Sequence, residues 1–393
     1  MNSRRTPHRW AAGDVRHRPE MSTTVPPTTR RQFLTAGAAA AAAGLGLLAV
    51  AGCGGDDDGE PDGPPDADAG APLWALARGF ASCPAVLAGD LLLVGRHPGA
   101  LHALAPESGE ERWAVETGTA PSRPVVVGET LVTGLAGGGL LALDLADGEE
   151  RWTLPTGGWG VPGGPVAVGD AVLVGGLDGV IRAVDVATGA ERWTVGEPES
   201  GGQFFADPVV ADGTLLLGDS RGTLRALDAE SGAELWVGET DGSNLSTAAV
   251  ADGVVCVGTS GGELRGFDVA TGEERWAATV SGAVVDLVAV GGWLLVPDPK
   301  GKRLRALGTA DGGAGWEAVS AVEVLPVAVA GDVVYYPSEE SVLVAASIDD
   351  GATRWECAFG GPEAPGDTLL KLAAWPDLVV AGTEGAAAVA VRA

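Results

Sequence analysis

Positive charge is scarce in this sequence: 25 Lys and Arg, three of them Lys (Lys300, Lys302, Lys371), stand against 53 Asp and Glu, for a net charge of −28. Seven arginines, Asp14 and Glu20 fall in residues 1–53, so the remainder carries 18 basic and 51 acidic side chains, or −33. A surface of that sign repels nucleic acid and anionic lipid. The bias fits high-GC coding or life in high salt equally well. Cysteine is almost as rare. Cys53, Cys83, Cys256 and Cys357 give neither a zinc-ligand spacing nor a haem-attachment Cys-x-x-Cys-His, and no two are adjacent. If Cys53 is modified, an odd number remains, which favours buried free thiols over a paired framework, with a Cys83–Cys357 bridge as the alternative. Helical periodicity is missing after residue 53, where 62 Gly and 25 Pro across the chain punctuate short Val/Leu/Ala runs. The expected class is all-β.

What is present in quantity is tryptophan at regular spacing. From Trp74 onward the series Trp113, Trp152, Trp193, Trp236, Trp276, Trp316 and Trp355 advances by 39, 39, 41, 43, 40, 40 and 39 residues, the period of one four-stranded propeller blade. Seven of these end an eleven-residue stretch best seen at Ala226–Trp236, with Ser, Thr or Asp followed by Gly at its centre. The stretch reads as a hairpin, because apolar residues alternate up to an Asp, a turn with Gly supplies positive φ, and a short strand carries the Trp. Asp144, Asp185, Asp228 and Asp268 are placed to accept from turn N–H groups; Ala105, Gly308 and Ser347 replace them, so those three turns are expected to be looser. Each indole is expected to wedge against the neighbouring blade and bury most of its surface.

An upstream half, strand–Gly turn–strand, begins near Pro84, Pro124, Pro165, Pro208, Ala248, Leu287, Pro326 and Leu372. The eighth unit ends where its Trp strand should start, and the unmatched strand at 72–78 supplies the missing piece. The fold expected is therefore an eight-bladed β-propeller of four-stranded antiparallel blades over residues 72–393, closed by the N-terminal strand.

Residues 1–53 read as an N-terminal extension plus export signal, with translation starting at Met1 or, preferably, Met21. Arg30, Arg31, Phe33 and Leu34 precede an Ala/Gly/Leu run from Ala36 to Ala51, and Val50-Ala51-Gly52-Cys53 follows. This order resembles a twin-arginine signal ending in a lipobox, which implies lipidation at Cys53. The competing transmembrane reading has about 17 small apolar residues, at the lower limit for a span. Residues 54–71, rich in Gly, Asp and Pro, read as a disordered acidic linker. Asp56-Asp57-Asp58-Gly59 lacks the remaining EF-hand ligand positions.

The Ala-x-Asp-x-x-Thr-Gly-x-x-x-Trp repeat resembles the tryptophan-docking motif of the PQQ-like β-propeller family, which includes quinoprotein alcohol dehydrogenases and BamB-type lipoproteins. The resemblance spans residues from about 73 to 393. For the dehydrogenases it implies a disulfide of adjacent cysteines stacked on the quinone, a Glu/Asn/Asp calcium set, a catalytic Asp and a longer chain with large insertions. The sequence has no adjacent cysteine pair and no His-Glu-x-x-His, and its glycine-rich strings lie in hairpins instead of at a strand-to-helix junction. No catalytic residue, metal site or cofactor is expected, with PQQ and calcium as the alternative. The reading favoured is a membrane-anchored, extracytoplasmic lipoprotein whose monomeric ring binds another protein; the alternative is a PQQ- or small-ligand-binding redox enzyme or sensor. Any ligand face should use the irregular connections 196–207, 238–247 and 359–368, with Arg96, His97, Trp159, Gln203, Phe204, Phe205 and Asn244 as candidates. For the Phe pair packing is the commoner role, and for His97 a solvated loop.

Overall fold

A computed structural model describes residues 72–77, 80–157, 160–198, 201–244, 246–322, 326–339, 342–358, 369–383 and 386–393, all within one compact unit. Arg30, Arg31, Phe33, Leu34, Cys53 and the 54–71 segment lie outside the described residues, as do Trp159 and the connection 359–368.

Eight four-stranded antiparallel sheets follow one another in chain order. Blade 1 comprises Val86–Ala88, Leu91–Arg96, Ala100–Leu104 and Glu111–Glu116. The inner strands of blades 2 to 8 are Val125–Val127, Val166–Val168, Val209–Ala211, Ala249–Ala251, Val288–Val290, Ala328–Ala330 and Leu369–Trp375. These inner strands are half-buried, as suits side chains lining a central channel, whereas second strands such as Leu91–Arg96 and Ala171–Gly175 are almost wholly buried. Burial on both faces explains why they read as unbroken Val/Leu runs. Hydrophobic clusters sit between neighbouring blades. Leu216, Leu224 and Ala226 of blade 4, for example, pack with Val255, Val257 and Phe267 of blade 5.

Three positions of the repeat acquire distinct physical roles. The leading Ala lies directly opposite the Trp across the hairpin, as in Ala183↔Trp193 and Ala226↔Trp236, with a bulge one residue further on. Only a small side chain fits there: a Cβ on Gly266, which replaces it in blade 5, would meet Trp276 at 2.4 Å. The Trp then crosses to the next blade, where its Nε1–H donates to a backbone carbonyl, as in Trp113 to Leu145 (3.0 Å) and Trp276 to Thr309 (2.9 Å). Its ring lies against the turn glycine of that blade. A Cβ on Gly189 would come within 2.7 Å of Trp152, and one on Gly272 within 2.7 Å of Trp236. That glycine is thus required twice, for its φ of 71° at position 189 and for the indole beneath it. Trp74, Trp113 and Trp276 are buried and Trp152, Trp193, Trp236, Trp316 and Trp355 partly so, each with most of its surface covered, as expected of the wedges.

The turns at Ala105, Gly308 and Ser347 are not looser in geometry. Each keeps the two backbone hydrogen bonds seen at Asp185, for instance Gly109 N to Ala105 O at 2.8 Å and Gly312 N to Gly308 O at 2.9 Å. What Asp adds is a side-chain layer: Asp185 Oδ1 accepts from Thr188 N (2.9 Å) and Oδ2 from Arg192 (2.6 Å).

Ring closure occurs as the count requires. The strand Pro72–Ala77 pairs with Ala386–Val391, setting Trp74 opposite Ala390, and Trp74 Nε1 donates to Pro106 O of blade 1 at 2.7 Å. Blade 8 therefore has chain ends where the other blades have a turn, and Trp355 packs in a cluster that includes Ala393. Cys83 and Cys256 are buried free thiols, which removes the Cys83–Cys357 bridge. Cys357 is buried too but is not a free thiol, so the expectation of three holds for two. Burial pushes Cys83 up to about 11 and Cys256 up to about 12, leaving both thiols protonated and inert.

Candidate functional site

The connection from one blade to the next and the loop between second and third strands share one end of the ring. Backbone bonds such as Ala136 N to Ala120 O (3.0 Å) and Ser260 N to Ser243 O (2.9 Å) tie them together. The candidate residues lie at this end without converging. His97 is exposed and stacks on Phe80, ring centroids 4.5 Å apart, beside half-buried Arg96 in blade 1. Gln203, Phe204 and Phe205 lie between blades 3 and 4, and Asn244 between blades 4 and 5.

Phe204 and Asn244 occupy one structural position. Second strands end in glycine in blades 2 to 5, and each glycine is covered by a residue from the following connection: Val161 on Gly134, Phe204 on Gly175, Asn244 on Gly218 and Val284 on Gly258. Phe204 is 2% exposed and Asn244 fully buried, its Oδ1 accepting from Thr240 Oγ1 at 2.7 Å. Phe205 is 41% exposed, together with Phe80 and Val285 at the same end.

The residues that do converge were not singled out by sequence. Two positions before the inner strand blades 2, 4 and 6 place Arg123, Asp207 and Asp286, and blades 1, 3, 5 and 7 place Pro84, Gly164, Thr247 and Pro326; in blade 8, where Ala373–Trp375 pair as the other inner strands do, the equivalent residue is Lys371. The position is equivalent in every blade, so charges of sign +, −, −, + alternate with uncharged residues around the ring, and Asp286 feels both Lys371 and Asp207. Arg123 Nη2 reaches Asp207 Oδ2 at 2.8 Å across Gly164, whose N–H donates to Asp207 Oδ1 at 2.5 Å. A Cβ on Gly164 would meet Arg123 O at 2.6 Å, so the bridging blade must carry glycine. Desolvation holds Asp286 above the usual carboxylate range, while Lys371 and the N–H groups of Leu287 and Val327 pull it back. Below Arg123 the inner strands of blades 1 to 3 line a cavity of about 580 Å3 with Val86, Val125 and Val166 among its walls.

Chemistry on covalent substrates finds little hardware here. Gly218-Asp219-Ser220-Arg221-Gly222 and Gly258-Thr259-Ser260-Gly261-Gly262 have the Gly-x-Ser-x-Gly spacing of a nucleophile elbow. Both sit in strand-to-strand loops instead of at a strand-to-helix turn, and Ser220 Oγ accepts from Gln203 N at 2.9 Å. Among the described residues no three His, Cys, Asp or Glu side chains converge as metal ligands.

Fold, tryptophan docking and channel together define an eight-bladed PQQ-like β-propeller. The chain belongs to the family described as outer membrane protein assembly factor BamB, whose model matches residues 65–195, 156–286 and 279–393. Among solved structures it is similar to BamB from Moraxella catarrhalis at 18% identity, covering 81% of this chain and 96% of that one with a TM-score of 0.65. Quinohemoprotein alcohol dehydrogenase from Comamonas testosteroni matches at 14% identity over 82% of this chain and 75% of that one, TM-score 0.66. The computationally designed Ika8 protein matches at 14% identity over 82% and 99%, TM-score 0.70. At these identities the structures speak for the fold alone. No curated protein matches the sequence.

Proposed function

We propose that this protein is an exported lipoprotein, tethered outside the cytoplasm through Cys53, whose propeller acts as a docking scaffold for another extracytoplasmic or membrane protein. The observation that carries the reading is membership, over residues 65–393, of a family described by an outer-membrane assembly factor. Supporting it are the twin arginines Arg30 and Arg31, the apolar run and the lipobox in correct order, and the exposed Phe80, Phe205 and Val285 at the loop end. Crosslinking in intact cells followed by purification from solubilised membranes is expected to retain one protein in stoichiometric amount. A ring recovered alone would remove the scaffold reading. Replacing Cys53 with Ser should release the protein from the membrane or leave it unprocessed, and a wild-type Cys53 sulfur found in a disulfide instead of a lipid thioether would overturn the anchor. Arg30→Lys with Arg31→Lys should hold the protein in the cytoplasm; undiminished export would assign the general secretory route.

A second reading, a redox enzyme or sensor holding PQQ or another small ligand in the channel, is favoured by the 580 Å3 cavity. The residues present do not fit PQQ with calcium: adjacent cysteines are missing from the sequence, the described residues offer no ligand trio, and Arg123 is already held by Asp207. Calorimetry with PQQ and calcium separates the readings, saturable binding favouring the second.

A further inference from the structure

The outermost strand of each blade is a sheet edge, and most blades guard it with arginine. In five of the seven Trp hairpins the residue before the Trp is Arg: Arg112, Arg151, Arg192, Arg275 and Arg354. A long cation at an edge discourages another strand from pairing there. Three of these arginines also close the hairpin turn, because the turn Asp lies seven residues upstream. Arg151 meets Asp144 Oδ2 at 2.6 Å, Arg192 meets Asp185 Oδ2 at 2.6 Å, and Arg275 holds Asp268 Oδ2.

Blade 4 departs from this pattern. Its outer strand Glu234–Glu239 pairs with Thr223–Asp228 on one side and with no described strand on the other. Leu235 takes the arginine's place, 54% exposed, and Val237 follows the Trp, 42% exposed, where blades 2 and 3 have Thr153 and Thr194. Asp228 keeps its place seven residues upstream of Leu235, but its carboxylate is half used. Oδ1 accepts from Ser231 N at 2.7 Å and Ser231 Oγ at 2.6 Å, and Oδ2 has no partner among the described residues. Glu230 in the turn and Glu239 at the far end of the strand are both exposed. The blade thus presents an apolar pair on a free edge, bordered by acids, and lacks the cation that its turn carboxylate receives in blades 2, 3 and 5.

We infer that this edge docks an extended segment of the partner protein, whose apolar residues lie on Leu235 and Val237 and whose Arg or Lys binds Asp228 Oδ2 in place of the missing arginine. The added strand hydrogen-bonds through its backbone to the free edge, while the side-chain contacts select the sequence. A cation on the turn carboxylate adds a charge-assisted bond. The sign of the partner follows from complementarity, since a chain of net charge −28 repels an acidic segment and attracts a basic one. This inference rests on the scaffold reading and specifies the chemistry of what the scaffold holds.

The test is titration calorimetry of the purified full chain with a short peptide of alternating Val and Arg, and separately with its Val/Glu counterpart. Physiological ionic strength screens long-range attraction to the acidic surface. Saturable 1:1 binding of the Arg peptide alone is expected. Leu235→Arg should weaken it about tenfold or more, with the unfolding temperature at or above that of the parent, because the new guanidinium reaches Asp228 as Arg192 reaches Asp185. Val237→Thr should weaken it as well. Ala114→Arg, which adds the same charge to the outer strand of blade 1, should leave it unchanged. No saturable binding of the Arg peptide, or equal weakening by Leu235→Arg and Ala114→Arg, overturns the proposal. A cellular partner retained by the Leu235→Arg protein at the parent's level also overturns it and leaves the scaffold reading standing. A ring recovered alone strikes the scaffold reading, and the peptide titration still decides for or against the edge.

Discussion

At the scale of single residues, the turn glycines separate two demands that sequence merges into one. Gly169 and Gly189 both have positive φ, 58° and 71°, but a Cβ at Gly169 meets nothing within 4 Å while at Gly189 it meets the Trp152 ring at 2.7 Å. Gly169→Ala should therefore cost about 1–2 kcal/mol, from the left-handed backbone alone. Gly189→Ala adds overpacking, for a total of about 2–5 kcal/mol. Equal shifts in urea midpoint would show that the indole can move aside. The same scale holds Asp286. Its folded pKa lies above the ordinary value, so the contribution of this one group to stability is fullest below the unfolded pKa and falls as pH rises through the folded pKa. Asp286→Asn should match the parent in melting temperature near pH 3 and exceed it at pH 7. A parent that is the more stable at pH 7 would mean that attraction to Lys371 outweighs desolvation.

Hairpins and blades are where the sequence was most informative, because their residues touch neighbours at a constant offset. The Ala opposite Trp and the turn Asp recur in most blades and the turn Gly in all seven Trp hairpins, so their roles could be read from spacing before any coordinates. Asp185 shows what the repeat alone leaves hidden. Arg192 clamps it at 2.6 Å and also reaches Asp170 of the other turn of blade 3 at 2.7 Å, joining two turns that pattern reading treats separately. Bonds from Arg192 first, and then from Thr188, lower Asp185 to about 2. That contribution is present above the unfolded carboxylate pKa and is lost as pH falls from about 4 through 2. Asp185→Asn should lower the melting temperature at pH 7 and make no difference at pH 2; a pH-independent difference would assign the effect to turn geometry. Illegible for another reason were Phe204 and Asn244. The covering position they fill is Val161 or Val284 in other blades, and residues so unlike give no periodic signal.

Across the whole molecule, closure creates neighbours that no spacing announces. The Arg123–Asp207 pair joins blades 2 and 4 over a glycine in blade 3, and becomes visible only once the inner strands are arranged around an axis. Closure itself was legible, since one Trp strand lacked a blade and one blade lacked a Trp strand, and it makes the ends of the chain interdependent. Pro72–Ala77 is the outer strand of blade 8, pairing with Ala386–Val391. Trp74 from that strand is 3% exposed and, with Leu76, packs among Leu92, Leu104, Val380 and Ala388, residues of blades 1 and 8. A mature chain starting at Ala81 would leave Ala386–Val391 as a bare apolar edge, a template for aggregation. It would also lose the Trp74 contacts, worth about 3–5 kcal/mol for a buried indole against a total stability of about 5–15. Deleting residues 54–71 touches neither the strand nor the indole and should be nearly neutral. The two truncations, compared by melting temperature and by light scattering on heating, are expected to differ sharply, the shorter chain melting far lower or aggregating. Equal stability would mean that seven blades hold themselves together and that the eighth merely trails, which the Trp74–Pro106 hydrogen bond at 2.7 Å argues against.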